Sequence, residues 1–311
     1  MNETHYPADF SVKSLKITHE EFPYPGRPVA AADMRSAGVK DNYDVMYGWP
    51  EDIGKETTPV GKCVFTREFG EYVDDWYAHN AINRCCRAWG ERPQLMQAMS
   101  LADTYGLMYH SQRQFIGGCQ WHPFDHQRGY HPDAYFGGIF DAFRQPKYAY
   151  EMFRSQTLYG GPSVFIANEM TPSSDSDVTV FSNCDSVRLI VFGGDMVKTL
   201  PVTHQVGEIP YAPVVFRGFW NFMKAREYSY KKRDWQHISI VAEGIKEGRV
   251  VCSEKKSPSR RSTKIRLRVD SLGKTLTADG SDFIVVIAEI TDDSGNVRRL
   301  AREQVSFTVE G

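Results

Sequence analysis

The chain has 311 residues, of which 41% are hydrophobic and 13% aromatic, so it can bury a large core and has room for two or three domains. Its formal net charge of −2 provides no global positive field for nucleic acid or an anionic membrane surface. No stretch reaches the roughly 18 apolar residues that predict a membrane span. Residues 1–10 lack a signal-peptide pattern, which leaves periplasmic, secreted and cytoplasmic locations open.

The first half of the chain alternates between helix-like and strand-like segments. Helices are predicted over Asp9 to Glu21, over Pro93 to Tyr105, and from Pro146 to about Arg154. Short apolar runs predict strands over Pro28 to Asp33, Tyr43 to Tyr47, Gly61 to Glu68 and Phe115 to Trp121. Strands that alternate with helices favour a parallel sheet with helical crossovers.

From residue 162 onward, apolar residues recur with a period of two, which is typical of strands with one buried face. The two clearest stripes are Val187, Leu189 and Val191, and Ile265, Leu267 and Val269. Phe283 to Ile290 predicts another strand, followed by a turn at Asp293 to Asn296 and a return strand. The pattern predicts two β-sandwich modules, 162–254 and 262–311, joined by a basic linker from Lys255 to Arg261.

The cysteines and histidines do not form a metal-site pattern. The six cysteines include no C-x-x-C pair and predict buried thiols rather than a zinc site or a disulfide framework; they are Cys63, Cys85, Cys86, Cys119, Cys184 and Cys252. His122 and His126 have the spacing of a helical metal pair, but Pro123 between them disfavours a helix. We therefore expect loop histidines, no metal and no other cofactor.

One apolar run ends in a carboxylate followed shortly by a glycine, in Phe65-Thr-Arg-Glu-Phe-Gly70. A charged residue at the C-terminal end of a strand in a parallel barrel faces the mouth of the active site. A nearby glycine allows a sharp turn. Taken alone the pattern is weak, because a glutamate in such a sequence is more often a surface residue.

The segments around this run resemble the catalytic domain of glycoside hydrolase family 2, the β-galactosidase-type enzymes. Arg67-Glu-Phe-Gly-Glu-Tyr-Val-Asp-Asp-Trp76, with Asn83-Arg84 and Ala88-Trp-Gly-Glu91, is similar to the region around the family's nucleophile. Gly117 to Gly129 resembles the eighth barrel strand and its loop. Further matching segments are Gly26-Arg-Pro-Val29, Met46-Tyr47, Gly138-Ile-Phe-Asp141 and Arg144 to Tyr150.

The resemblance implies the fold class α/β plus all-β. Residues 1–156 would form strands 4/5 to 8 of an eight-stranded TIM barrel, followed by immunoglobulin-like β-sandwich domains at 162–254 and 262–311. The family's first half barrel has no counterpart, and Leu276 to Gly311 resembles the start of a further module. We therefore expect a fragment that pairs with the missing N-terminal half or forms a homo-oligomer, with an oligosaccharide or glycoside as substrate.

The resemblance also implies roles for individual residues. Glu68 would be the nucleophile and Glu3 the acid/base, while Asn2, Tyr47 and Trp121 would bind the sugar. A rival assignment places the acid/base before Met1 and makes Glu3 a loop residue. Trp121 has the alternative role of a core tryptophan. Asp125 could bind sugar hydroxyls or cap its loop.

The implied function is a retaining exo-β-glycosidase that acts on terminal β-glycosides through a covalent glycosyl-enzyme intermediate. The alternative is a non-catalytic carbohydrate-binding or structural remnant of such an enzyme. The sugar stays open, because enzymes of this family share the barrel across substrates.

Overall fold

The computed structural model describes residues 7–22, 24, 26–31, 42–47, 61–69, 85–110, 115–127, 134–203, 209–271, 273–298 and 301–310. The α-helices in these ranges are α1 Ala8–Glu21, α2 Glu91–His110, α3 Tyr148–Arg154 and α4 Phe222–Glu227. Short 3-10 segments occur at Arg87–Trp89 and Phe192–Gly194, and a π-helical turn follows α4 at Tyr228–Lys232. No helix among the described residues has the length and apolarity needed to cross a membrane.

The first half of the chain forms a four-stranded parallel sheet in the order β1-β2-β3-β4. Its strands are β1 Ala30–Ala31, β2 Val45–Tyr47, β3 Cys63–Phe69 and β4 Phe115–Gln120. This confirms the four strands and the parallel pairing that the alternation of helices and strands predicts. Leu15 of α1 packs with Met46 and Val64 on this sheet.

Two prolines near helix starts test the helix boundaries that the sequence predicts. Pro93 lies in the first turn of α2, which begins at Glu91, as expected for a residue without an N–H donor. The prediction that α3 begins at Pro146 is wrong by two residues. Lys147 has extended backbone and donates its N–H to the Ile139 carbonyl at 2.9 Å, so the helix cannot begin before Tyr148.

Two antiparallel sheets follow and enclose a hydrophobic core. One has the order β11-β10-β7-β8 and the other β5-β6-β9. Their strands are β5 Val164–Ala167, β6 Val178–Ser182, β7 Ser186–Val191, β8 Met196–Pro201, β9 Val214–Phe216, β10 Ile240–Lys246 and β11 Arg249–Lys256. Val187, Leu189 and Val191 are fully buried against Ile166 and Val180 of the facing sheet, which confirms the first predicted stripe.

The predicted linker begins too early, because Lys255 and Lys256 are the last residues of β11 and pair with β10. Lys256 is not a solvated charge. Its ammonium lies 3.3 Å from Glu169 Oε1 and 4.5 Å from the centroid of the Phe165 ring. A cation with these contacts is part of the packed structure. The start of the basic run at Lys255 therefore did not mark the end of the sheet.

The last strands, β12 Lys264–Asp270 and β13 Val285–Thr291, form a two-stranded antiparallel ribbon. The stripe of Ile265, Leu267 and Val269 is 57%, 65% and 58% exposed, so the expectation of one buried face is wrong for the described residues. The turn after β13 returns the chain as predicted: Val297 bridges Thr291, and Arg298 donates its N–H to the Ile290 carbonyl.

Replacing Leu189 by alanine should reduce the free energy of unfolding by roughly 2–5 kcal/mol, because the substitution opens a cavity in the core between the two antiparallel sheets. Denaturant titration of the 311-residue chain measures this. Leu158→Ala is the matched control, because Leu158 is 58% exposed and should change stability by less than about 0.5 kcal/mol. Equal effects at the two positions would contradict the assignment of the core.

Candidate active site

The C-terminal edge of the parallel sheet brings together three of the predicted site positions. Tyr47 ends β2 and pairs with Phe65 of β3, while Phe69 at the end of β3 pairs with Gln120 of β4. The N–H of Trp121 then donates to the Phe69 carbonyl at 2.7 Å. The backbone therefore places Tyr47, Glu68 and Trp121 at or just beyond the C-terminal ends of three adjacent strands.

Several predicted site residues lie partly or wholly outside the described residues. For Tyr47 and Glu68 the structure describes the backbone within β2 and β3 but not the side chain. Asn2 and Glu3 lie outside the described ranges. Their roles stay predictions.

The strand that carries Glu68 is held by packing at two points along its length. Val64 and Thr66 are fully buried, and Val64 belongs to the cluster formed with α1. Phe69 is buried in a different cluster, with residues of α2 and α3. The register between β3 and β4 shifts between Thr66 and Phe69, which marks an irregularity at the position of Glu68.

Trp121 is half-buried, and its indole is supported by two histidine rings. The ring centroids of His122 and His126 lie 5.6 Å and 6.2 Å from that of Trp121, both in edge-on arrangements. Such contacts hold an aromatic side chain in one orientation. The role of Trp121, a stacking platform for a sugar ring or a core tryptophan, stays a prediction.

The two histidines converge on a single backbone acceptor. The Nδ1 atoms of His122 and His126 lie 2.8 Å and 3.3 Å from the Phe124 carbonyl oxygen, so each Nδ1 carries the donated proton. The rings meet edge to face at 4.2 Å. The segment is a loop, as Pro123 predicts. Within the described ranges, no group of three His, Cys, Asp or Glu side chains could hold a metal ion.

Asp125 is anchored inward, which decides between its two predicted roles in favour of the loop cap. Its Oδ1 accepts from Lys147 Nζ at 2.7 Å and from the Gly138 N–H at 3.0 Å, and both ionic side chains are almost completely buried. Lys147 also donates to the Phe136 carbonyl at 2.7 Å. Burial raises the pKa of Asp125 to about 6, against the opposing effect of Lys147 and the Gly138 N–H.

Lys147 and Gly138 are the supporting residues that the sequence analysis missed. A Cβ at Gly138 would lie 2.3 Å from the Asp125 nitrogen and 2.4 Å from the Phe124 carbonyl carbon, so only glycine fits there. The pair Gly137-Gly138 was an available signal for close backbone approach. Lys147 carried no signal of its own for this role, because its sequence context is that of an ordinary lysine at the start of a helix.

Sequence comparison finds relatives among β-galactosidases, while no family model matches the chain. A β-galactosidase of Thermoanaerobacter pseudethanolicus is 30% identical over 206 residues, covering 63% of this chain and 27% of that protein. A β-galactosidase of Bacteroides ovatus is 23% identical over 308 residues, covering 93% of this chain and 30% of that protein. The chain thus spans less than a third of the length of these relatives.

Comparison with solved structures finds glycoside hydrolases with a similar fold. A β-glycosidase from Bacteroides vulgatus matches with a TM-score of 0.66 and 18% identity, over 95% of this chain and 40% of that chain. A β-glucuronidase from glycoside hydrolase family 2 matches with a TM-score of 0.64 and 18% identity, over 95% of this chain and 30% of that chain. The fold is therefore that of a segment of a glycoside hydrolase. The resemblance to family 2 that the sequence motifs indicate is confirmed by these matches.

Asp125→Asn should remove a pH-dependent contribution to stability. Because the folded-state pKa of Asp125 is raised to about 6, its contribution is fully present below about pH 4, near the pKa of an unfolded Asp. It is lost as the pH rises through 6. The stability advantage of wild type over Asp125→Asn should therefore shrink by up to about 3 kcal/mol across this window, since one pKa unit corresponds to about 1.4 kcal/mol.

Denaturant titration at a series of pH values measures this difference. Asp103→Asn is the matched control, because Asp103 is exposed on α2 and should leave the wild-type pH profile unchanged. A constant difference between wild type and Asp125→Asn from pH 4 to 7 would show that the carboxyl is ionised throughout, contrary to the expected effect of burial.

Proposed function

We propose that the chain is part of a retaining exo-β-glycosidase of the β-galactosidase type, with Glu68 as its nucleophile. The observation that carries the proposal is the position of Glu68, one residue before the end of β3, beside the strand whose continuation is Trp121. The β-galactosidase relatives support the sugar class, although they extend well beyond the matched segment.

The proposal extends to the architecture. The four parallel strands would be the second half of an eight-stranded barrel, and the antiparallel sheets would be immunoglobulin-like modules at 162–254 and 262–311. The common edge of β2, β3 and β4 supports this reading, because barrel enzymes carry their active sites at the C-terminal ends of the strands.

The proposed reaction proceeds in two displacements. The carboxylate of Glu68 attacks the anomeric carbon, a glycosyl–enzyme bond forms, and the glycosidic C–O bond breaks as Glu3 protonates the leaving oxygen. Glu3 then takes a proton from water, whose oxygen attacks the anomeric carbon and releases Glu68. Asn2 would bind the sugar's 2-hydroxyl, Tyr47 would contact the nucleophile, and Trp121 would stack on the sugar ring.

The strand geometry sets a requirement on this mechanism. The ring of Phe69 packs toward α2 and α3. The alternation of a regular strand does not assign Glu68 to a side here, because the register shifts between Thr66 and Phe69. Glu68 can serve as the nucleophile only if it occupies the side opposite to Phe69, with the acid/base carboxyl about 5–5.5 Å away, as retaining enzymes require.

Glu68→Gln should reduce turnover of an aryl β-galactoside by several orders of magnitude in an enzyme complete enough to be active, because the substitution removes the nucleophilic carboxylate. A 2-deoxy-2-fluoro-galactosyl fluoride should label the wild-type peptide that contains Glu68, as detected by mass spectrometry. Glu20→Gln is the control, since Glu20 is exposed on α1 and should keep full activity and labelling. Labelling of another residue, or unchanged turnover in Glu68→Gln, would defeat the assignment.

The 311-residue polypeptide alone should not hydrolyse nitrophenyl β-glycosides at a measurable rate. Among the described residues β1 and β4 are the edge strands of the parallel sheet, and four strands do not close a barrel around a substrate. Addition of a polypeptide that carries the corresponding first half of a relative's barrel should restore turnover. Rapid turnover by the isolated chain would contradict the half-barrel reading. Bound sugar without turnover in the complemented protein would favour the alternative of a carbohydrate-binding remnant.

A further inference from the structure

Two cysteines that are far apart in sequence meet inside the antiparallel part of the fold. Cys184 lies in the short connection between β6 and β7, and Cys252 lies in β11. Their sulfur atoms are 3.7 Å apart, although 68 positions separate the residues along the chain. Cys184 is fully buried and Cys252 is partly buried.

The backbone between the two thiols is shaped to let them meet. Gly244 of β10 pairs with Val187 of β7 on one side and with Cys252 of β11 on the other. A Cβ at Gly244 would lie 2.6 Å from both sulfur atoms, which is closer than such atoms can approach. The missing side chain of Gly244 therefore provides the space that the two sulfurs share.

We propose that Cys184 and Cys252 form a disulfide bond when the chain folds under oxidising conditions. A disulfide has a sulfur–sulfur distance of about 2.05 Å, so the two sulfurs must approach each other from van der Waals contact. Both sulfurs lie over one glycine, so no side chain of β10 stands between them.

The reaction balances with a small-molecule disulfide as oxidant. The Cys252 thiolate attacks the oxidant, one thiol leaves, and a mixed disulfide forms on Cys252. The Cys184 thiolate then attacks Cys252 Sγ, the Sγ–Sγ bond forms, and the second thiol leaves. Two protons leave the protein thiols, and two electrons reduce the oxidant to its two thiols.

The surroundings of Cys252 indicate when this bond forms. Burial and the neighbouring Cys184 raise the pKa of Cys252 to about 12, so very little of the reactive thiolate is present in the folded chain near neutral pH. In the unfolded chain the thiol has its ordinary pKa. We therefore expect the bond to form during folding, so the experiment begins from denatured protein.

The test is to refold the 311-residue chain in a mixture of reduced and oxidised glutathione, block free thiols with iodoacetamide, and digest without reduction. Mass spectrometry should find one cross-linked species that joins the peptides of Cys184 and Cys252. The other cysteines, among them the exposed Cys119, should be alkylated. Alkylation of both Cys184 and Cys252 in refolded protein, or a predominant bond to another cysteine, would overturn the proposal.

A thermal readout separates a bond between these residues from incidental oxidation. A cross-link that closes a long loop stabilises mainly by restricting the unfolded chain. The oxidised wild type should melt several degrees above the reduced protein. Cys252→Ser should show no such shift, whereas the matched variant Cys119→Ser should retain it. A shift that survives Cys252→Ser, or disappears in Cys119→Ser, would contradict the assignment even where a cross-link is detected.

Discussion

Phe69, the last residue of β3, packs its ring against Tyr105 of α2 and Phe153 of α3, with ring centroids 6.5 Å from each. This packing fixes the end of the strand that carries Glu68, because the backbone cannot shift along its axis without removing the ring from its cluster. Aromatic contacts of this kind add to the free energy gained from burial. The Phe69 carbonyl also accepts the Trp121 N–H, so one residue sets the positions of both strand ends.

The same hydrophobic cluster continues into the antiparallel sheets. It includes Met152 of α3 and Phe181 of β6, so the parallel and antiparallel parts of the chain share a packed boundary. A polar contact also crosses this boundary, because Glu169 accepts from Tyr148 Oη at 2.9 Å. Glu254 of β11 accepts the Ile166 N–H of β5 at 2.6 Å and so joins the two antiparallel sheets. Burial raises the pKa of Glu254, which is the cost of using a carboxylate to satisfy an interior backbone donor.

The alternation of apolar residues predicted the strands but not the elements that pack on them. The stripes in β7 and β12 have the same period, yet Leu189 is fully buried and Leu267 is 65% exposed. The difference comes from a facing sheet, β5-β6-β9, which packs on β7. Periodicity within seven residues contains no information about such a partner. Lys256 shows the same limit, because the carboxylate of Glu169 and the ring of Phe165 that contact it are distant in sequence.

The sequence predicted the part of the site that depends on which strands are neighbours. A carboxylate and a tryptophan at the ends of neighbouring strands were identifiable from their motifs, whereas the Asp125–Lys147 pair was not, because 22 positions separate its members. The geometry of that pair also constrains the chemistry. Burying two charges is costly unless they are matched, and here the Lys147 ammonium is held by Asp125 Oδ1 and the Phe136 carbonyl.

This arrangement leaves the Lys147 ammonium committed to the loop rather than to the substrate pocket. The nucleophile of a retaining glycosidase must stay ionised, which requires hydrogen bonds or positive charge close to its carboxylate. The two histidines that pack against Trp121 each commit the Nδ1 proton to the Phe124 carbonyl. For Glu68 as the proposed nucleophile, the stabilising groups would come from other residues. Tyr47 is the first candidate, since its backbone ends the neighbouring strand β2.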